Sequence, residues 1–180
     1  TLFACTPRGR VFALDPETGR ERWRYDPGVD ASQFYVVNCR GVSSWLDGAA
    51  PEGASCRRRI FVGTLDARLI ALDAASGAPC DGFGTGGAVD LGTGIGERAA
   101  GEYGVTSPPA VIGERVVVGS MVLDNRRVDS PGGVVRAFDA RTGALLWAWD
   151  PLPGPMTPLA SGSLRAPLAG RYARGTTNAW

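Results

Sequence analysis

The sequence predicts an all-β chain arranged as a β-propeller of four-stranded antiparallel blades. Three observations predict it. A nine-residue pattern recurs three times in one register, short alternating apolar segments precede each copy, and 26 Gly and 13 Pro among 180 residues supply turns at the density that many short strands need.

The copies are Val11-Phe-Ala-Leu-Asp-Pro-Glu-Thr-Gly19, Leu69-Ile-Ala-Leu-Asp-Ala-Ala-Ser-Gly77 and Val135-Arg-Ala-Phe-Asp-Ala-Arg-Thr-Gly143. In each, alternating apolar residues read as a strand. The Asp (Asp15, Asp73, Asp139) can accept backbone N–H bonds in the following turn, and the Gly permits positive φ. Four residues after the Gly come Trp23 in the first copy and Trp147 in the third; the second has Asp81 there, with Phe83 the nearest aromatic. A further strand precedes each copy, at Leu2-Phe-Ala-Cys5, Ile60-Phe-Val-Gly63 and Val116-Val-Val-Gly119, and Pro109-Ala-Val-Ile112 reads as a strand entering the turn at Gly113 and Glu114. Each unit is then a small sheet that cannot bury both faces by itself, and radial stacking of units buries them. The blade repeats fall around 1–28, 58–84 and 109–150, and 29–57, 85–108 and 151–180 connect them.

Composition excludes several functions. Lys and Arg number 19 against 18 Asp and Glu, so no basic surface for nucleic acid is indicated. The absence of His removes Ser-His-Asp and Cys-His nucleophiles and His-ligated zinc from this stretch. Gly92-Thr-Gly-Ile-Gly96 lacks the third Gly of a dinucleotide fingerprint, and no helical pattern follows it. No apolar run is long enough to span a bilayer, and no signal peptide is visible. Thr1 opens inside a predicted strand without an initiator Met, so a section of a longer chain is expected. Cys5, Cys39, Cys56 and Cys80 form no CxxC pair. Cys39 and Cys56 bracket a long irregular loop and are the candidate disulfide; separate buried thiols are the alternative that spacing leaves open.

The pattern Ala-x-Asp-x-x-Thr-Gly-x-x-x-Trp resembles the tryptophan-docking motif of quinoprotein alcohol dehydrogenases. Asn38-Cys-Arg-Gly-Val-Ser43, Thr106-Ser-Pro-Pro109, Asp124-Asn125 and Gly175-Thr-Thr-Asn-Ala-Trp180 are similar, in the same order, to the membrane-bound glucose dehydrogenase branch, which includes quinate dehydrogenases. The resemblance covers essentially the whole chain. It implies about three blades from the N-terminal part of an eight-bladed catalytic propeller that binds pyrroloquinoline quinone (PQQ) and Ca2+ or Mg2+ near its axis.

Carried onto this sequence, the resemblance places Arg40 against the quinone carbonyls, where a planar guanidinium offers charge-assisted donors. It gives Thr106 and Ser107 a role at the PQQ carboxylates, although a Thr-Ser before two prolines also reads as a turn cap. Asp124 and Asn125 would lie at the cation, Asn125 as the direct ligand, since carboxylate and amide oxygens suit hard cations; an Asp-Asn pair is otherwise a common turn. Trp180 would be the flat floor for the cofactor, while Trp23, Trp147 and Trp149 would serve blade packing. Trp45 has no assignment. Val36 stands where this branch carries a His on the sugar side of the pocket, which weakens glucose as substrate and leaves quinate, shikimate or another polyol.

The implied enzyme is a periplasmic quinoprotein dehydrogenase at the bacterial inner membrane. It oxidises a sugar or polyol, as in the conversion of glucose to gluconolactone, and passes electrons to ubiquinone. The base Asp is expected beyond Trp180, so this segment alone should be inactive and unable to close a ring. A membrane anchor would belong to the full-length parent. A non-catalytic propeller scaffold with similar repeats, a carbohydrate-binding propeller and an NAD-dependent dehydrogenase are the competing readings. The Cys-Arg-Gly loop, the Asp-Asn pair and Trp180 distinguish the quinoprotein from the scaffold.

Overall fold

A computed structural model describes residues 1–124 and 129–150. It is all-β among those residues apart from one 3-10 turn, Ala31–Gln33. The first sheet is β1 (Leu2–Cys5), β2 (Val11–Leu14) and β3 (Glu21–Tyr25), in that order. The second is β4 (Ser43–Leu46), β5 (Arg58–Gly63), β6 (Arg68–Asp73) and β7 (Ala88–Asp90). A two-stranded ribbon joins β8 (Tyr103–Gly104) to β11 (Met121–Val122). The third sheet is β9 (Ala110–Ile112), β10 (Arg115–Val118), β12 (Val135–Asp139) and β13 (Leu145–Trp149). All pairings are antiparallel. Two segments expected as connections therefore contain strands: β4 lies in 29–57, and β7 and β8 lie in 85–108.

The repeated Asp closes its turn in the same way each time. Asp15 Oδ1 accepts from the Glu17 and Thr18 backbone and the Thr18 hydroxyl at 3.0–3.1 Å. Asp73 does so from Ala75, Ser76 and the Ser76 hydroxyl, and Asp139 from Arg141, Thr142 and the Thr142 hydroxyl. Each Asp carbonyl then accepts the N–H of the closing Gly at 2.8–2.9 Å. The turn residues are thus fixed by satisfied polar groups, which is why the pattern survives three times.

The second sheet is covered on both faces, and its strands read as continuous apolar runs for that reason. Ile60, Val62, Ile70 and Leu72 share a cluster with Val11 of the first sheet, while Phe61, Leu69 and Ala71 share one with Val116, Val118 and Phe138 of the third. The alternation follows the two-residue period of strand side chains.

The two seams between sheets are fastened differently. At the first, the Trp23 indole lies on Gly77 and donates Nε1–H to the Ala74 carbonyl at 3.1 Å. Gly77 has φ +77, and a Cβ there would sit 2.6 Å from the indole, so only Gly serves both the turn and the contact. At the second seam the Trp position is Asp81, and the outer strand is interrupted after a bridge between Leu72 and Pro79. Gly84 and Val89 cover Gly143 instead, the Gly84 N–H donates to the Thr142 carbonyl at 2.8 Å, and Phe83 is buried 5.4 Å from Phe61.

Arg59 and Arg141 complete that seam. Arg59 donates from the second sheet to the carbonyls of Ala140 and Arg141. Arg141 reaches back to Asp47 at 2.7 and 2.9 Å and also pairs with Glu114 at 2.6 Å. The unassigned Trp45 is 7% exposed and packs against both guanidiniums, which lie 5.8 and 5.3 Å from its ring centre. The Arg141 guanidinium holds the Asp47 carboxyl below the usual carboxylate range, against the opposing effect of desolvation. Trp147 is half-buried on the outer strand β13, and Trp149 is 57% exposed, so Trp149 packs no seam among the described residues.

The cysteines correct an expectation. Cys39 does not pair with Cys56; Cys5 bonds Cys39 and Cys56 bonds Cys80, with Cα separations of 6.1 and 5.8 Å. The reason is β4, which runs between Cys39 and Cys56 and carries the chain from one edge of the sheets to the other. Four extended residues cover roughly 10–13 Å, more than a disulfide bridges. Each cysteine therefore bonds at its own edge. By loop-closure entropy, bridges across 34 and 24 residues each stabilise by about 3–4 kcal/mol.

Candidate cofactor site

In both four-stranded sheets the first strand lies at the sheet edge, and those two strands, β4 and β9, are neighbours: the Ser43 hydroxyl donates to the Pro109 carbonyl across them. The segments that enter them therefore emerge side by side. Arg40 stands three residues before β4 and Thr106 four before β9.

The structure brings these two predicted residues together. The Arg40 N–H donates to the Thr106 carbonyl at 2.8 Å, and its Nη1 donates to the Thr106 hydroxyl at 2.5 Å. Thr106 is 4% exposed and Arg40 is exposed. Thr106 is fixed from behind as well, because the Val105 N–H donates to the Thr64 carbonyl at 2.9 Å in the turn between β5 and β6. Gly41, with φ +152 and Pro108 alongside it, gives the backbone the bend that takes Arg40 into β4. Ser107 is half-buried beside them.

Strand direction assigns the loops to faces. The N-terminal ends of β4, β6, β9 and β12, and the C-terminal ends of β1, β3, β5 and β10, share one face. Arg40, Thr106, Ser107, the Thr64–Ala67 turn, the β8–β11 ribbon and the Cys5–Cys39 bridge all belong to it. The Asp-Thr/Ser-Gly turns, the Arg141 cluster and the Cys56–Cys80 bridge belong to the other.

Asp124 is exposed in the turn that leaves β11. The register Val122↔Tyr103 and Met121↔Gly104 sets it toward Gly101, at the opposite end of the ribbon from Thr106. Its expected companion Asn125 lies outside the described residues, as do Trp180 and any base beyond it. Among the described residues no three His, Cys, Asp or Glu side chains form a metal cluster. Val36, at the position of the expected His, is 47% exposed in the loop before Cys39. The Gly92–Gly96 stretch is a turn that follows the buried Leu91 and contains the buried Ile95, with no helix after it among the described residues. The site residue that sequence reasoning missed is Cys5: its bond to Cys39 ties the Arg40 loop to β1, and nothing in the spacing marks it.

An exposed arginine on a fixed loop, beside two hydroxyls, fits a planar anion carrying carbonyl and carboxylate oxygens. The Thr106 hydroxyl oxygen already accepts from Arg40, so its proton is directed elsewhere and can serve a ligand oxygen.

Residues 1–180 match the family model described as PQQ, glucose/ethanol/alcohol dehydrogenase, β-propeller domain. The chain is 41% identical over 180 residues to the glycerol dehydrogenase large subunit of Gluconobacter oxydans (strain 621H), covering 99% of this chain and 23% of that protein. It is 39% identical over 196 residues to the quinate/shikimate dehydrogenase (quinone) of Acinetobacter baylyi (strain ATCC 33305 / BD413 / ADP1), covering 99% and 23%. The quinohemoprotein alcohol dehydrogenase structure from Comamonas testosteroni superposes with a TM-score of 0.64 at 28% identity, over 84% of this chain and 20% of that one. The chain thus spans about a quarter of the length of the curated relatives it matches.

Proposed function

The chain belongs to the PQQ-dependent glucose/ethanol/alcohol dehydrogenase β-propeller family, and from that premise we propose that it builds one side of the cofactor site of a polyol dehydrogenase. The observation that carries this reading is the Arg40–Thr106 clamp, an exposed arginine held by a buried threonine at the junction of two neighbouring strands. Arg40 supplies positive charge and planar donors to the cofactor oxygens, and Thr106 and Ser107 supply hydroxyl donors to its carboxylates. Asp124 and Asn125 offer hard oxygens to Ca2+ or Mg2+, and Trp180 offers an aromatic face for stacking. When bound, PQQ supplies the acceptor that takes hydride equivalents from an alcohol; the chain's own groups bind, orient and stabilise charge.

The substrate we propose is a polyol or cyclic polyhydroxy acid. The Val36 side chain offers no hydrogen bond where this branch carries a sugar-directed His, and it is this that favours the polyol, since relatives named for glycerol, for quinate or shikimate and for glucose stand at 41%, 39% and 41% identity alike. Electrons are proposed to pass to ubiquinone on the periplasmic side of the inner membrane. Two disulfides favour such an oxidising compartment.

The test is reconstitution of the full-length protein with PQQ and Ca2+, followed by dye reduction with glycerol, quinate, shikimate and glucose. Turnover on at least one of the first three, with glucose poorer, is the expected result. PQQ-dependent turnover with none of the four sinks the enzyme reading. Arg40→Ala should weaken PQQ binding by roughly ten- to a hundredfold, as loss of a charge-assisted contact of about 1.5–3 kcal/mol implies.

A further inference from the structure

We infer that the Cys5–Cys39 disulfide is a positioning crosslink for the cofactor-binding Arg40; this rests on the PQQ reading above. Arg40 is the residue immediately after Cys39. It sits at the end of a 17-residue connection from β3 to β4 whose sole regular piece is the Ala31–Gln33 turn. In that connection Tyr35 is 83% exposed and Val36 47% exposed, while Cys39 and Val42, on either side of Arg40, are partly buried against the cluster between the first two sheets. Two specific constraints meet at the site. The Arg40 backbone and side chain bond to Thr106 of the third sheet's entry segment, and Cys39 is tied covalently to the end of β1 in the first sheet. The guanidinium is thereby held between the first and third units of the fold.

The second disulfide provides an internal comparison. Cys56–Cys80 closes a loop of similar length, 24 residues against 34, so by chain entropy the two bridges stabilise the fold to nearly the same extent. It lies on the opposite face, where Cys56 precedes β5 and its N–H donates to Asp73. A purely structural role predicts equal consequences for removing either bridge. A positioning role predicts that only the first touches cofactor affinity.

The experiment uses the full-length protein and measures PQQ dissociation constants, with Ca2+ present, from fluorescence quenching. The melting temperature of each variant is recorded alongside. Cys5→Ala/Cys39→Ala should weaken PQQ binding by roughly tenfold, the low end of what losing an orienting partner costs at a ligand-holding residue. Cys56→Ala/Cys80→Ala should lower the melting temperature by a similar amount and leave PQQ affinity within about twofold. In an Arg40→Ala background, removing Cys5 and Cys39 should cost no further affinity, since the crosslink acts through that side chain. If the Cys5/Cys39 variant does not fold, reduction and alkylation of the Cys56→Ala/Cys80→Ala apoprotein, in which Cys5–Cys39 is the remaining bridge of these four cysteines, provides the affinity comparison, with alkylation verified by intact mass. Equal losses for the two disulfides, or a full additive loss in the Arg40→Ala background, overturn the inference. Absence of PQQ binding by the unmodified protein overturns the underlying reading instead.

Discussion

Gly77→Ala should destabilise the protein far more than Gly19→Ala, although both glycines close the same repeated turn. Their φ values are +77 and +70, so an alanine at either position carries about 1 kcal/mol of left-handed strain. At Gly19 nothing lies within 4 Å of the new methyl. At Gly77 it would meet Cε3 and Cδ2 of Trp23 at 2.6 and 2.7 Å. The indole cannot simply withdraw, because Nε1–H is bonded to the Ala74 carbonyl and the ring packs against Phe3 at 5.8 Å. Overpacking of that kind adds about 1–3 kcal/mol, which sets Gly77→Ala about 2–4 kcal/mol below wild type and Gly19→Ala about 1 kcal/mol below. Urea unfolding followed by tryptophan fluorescence measures both, with the difference appearing in the midpoint at an unchanged slope. Two variants within about 0.5 kcal/mol of each other, the scatter of ordinary surface substitutions, would refute the idea that Trp23 docking on Gly77 fastens the first seam.

Peptide mapping under non-reducing conditions should recover Cys5 joined to Cys39 and Cys56 joined to Cys80; a Cys39–Cys56 peptide would contradict the assignment. Arg141→Ala should cost about 1–3 kcal/mol, because it leaves the nearly buried Asp47 carboxylate without its two guanidinium donors and removes one guanidinium from the Trp45 ring. An unchanged melting temperature would count against that seam. Burial raises the Asp73 carboxyl, but the donors from Cys56, Ser76 and Ala75 outweigh it and leave its pKa depressed. A depressed folded pKa contributes stability that is present above the unfolded value, near 4, and is lost as pH falls through the folded one. The stability gap between wild type and Asp73→Ala should therefore narrow below about pH 4; a gap constant from pH 7 to pH 3 would show that Asp73 acts without its charge.

Much of the architecture was legible because the repeat is local. An Asp that caps its own turn, a Gly at positive φ and a Trp four residues on all lie within one hairpin, so their spacing survives in the sequence even though Trp23 does its packing on the next sheet. Arg40 and Thr106 were legible only through resemblance, since 66 residues separate them and their bond depends on β4 and β9 being neighbours. The disulfide pairing was misread because β4, with a single buried residue in Ser43-Ser-Trp45-Leu, gives a weak strand signal. Without that strand Cys39 and Cys56 look adjacent. Trp45 was opaque for a related reason: its partners Arg59 and Arg141 come from two different sheets.

The separation of the two faces has a consequence for how this fold can change. Everything that registers one sheet against the next through turn chemistry (the capped Asp turns, the Trp23 contact and the Arg141 cluster) sits at or toward one edge. The long connections, the ribbon and Arg40 sit at the other. Insertions of several residues on the Arg40 face, placed clear of the Cys5–Cys39 bridge and the Arg40–Thr106 bonds, therefore leave the turn-side fastening untouched, and such loops cost only slowly growing closure entropy. A new pocket for a different alcohol can arise there by altering length alone, with the repeat beneath it unchanged.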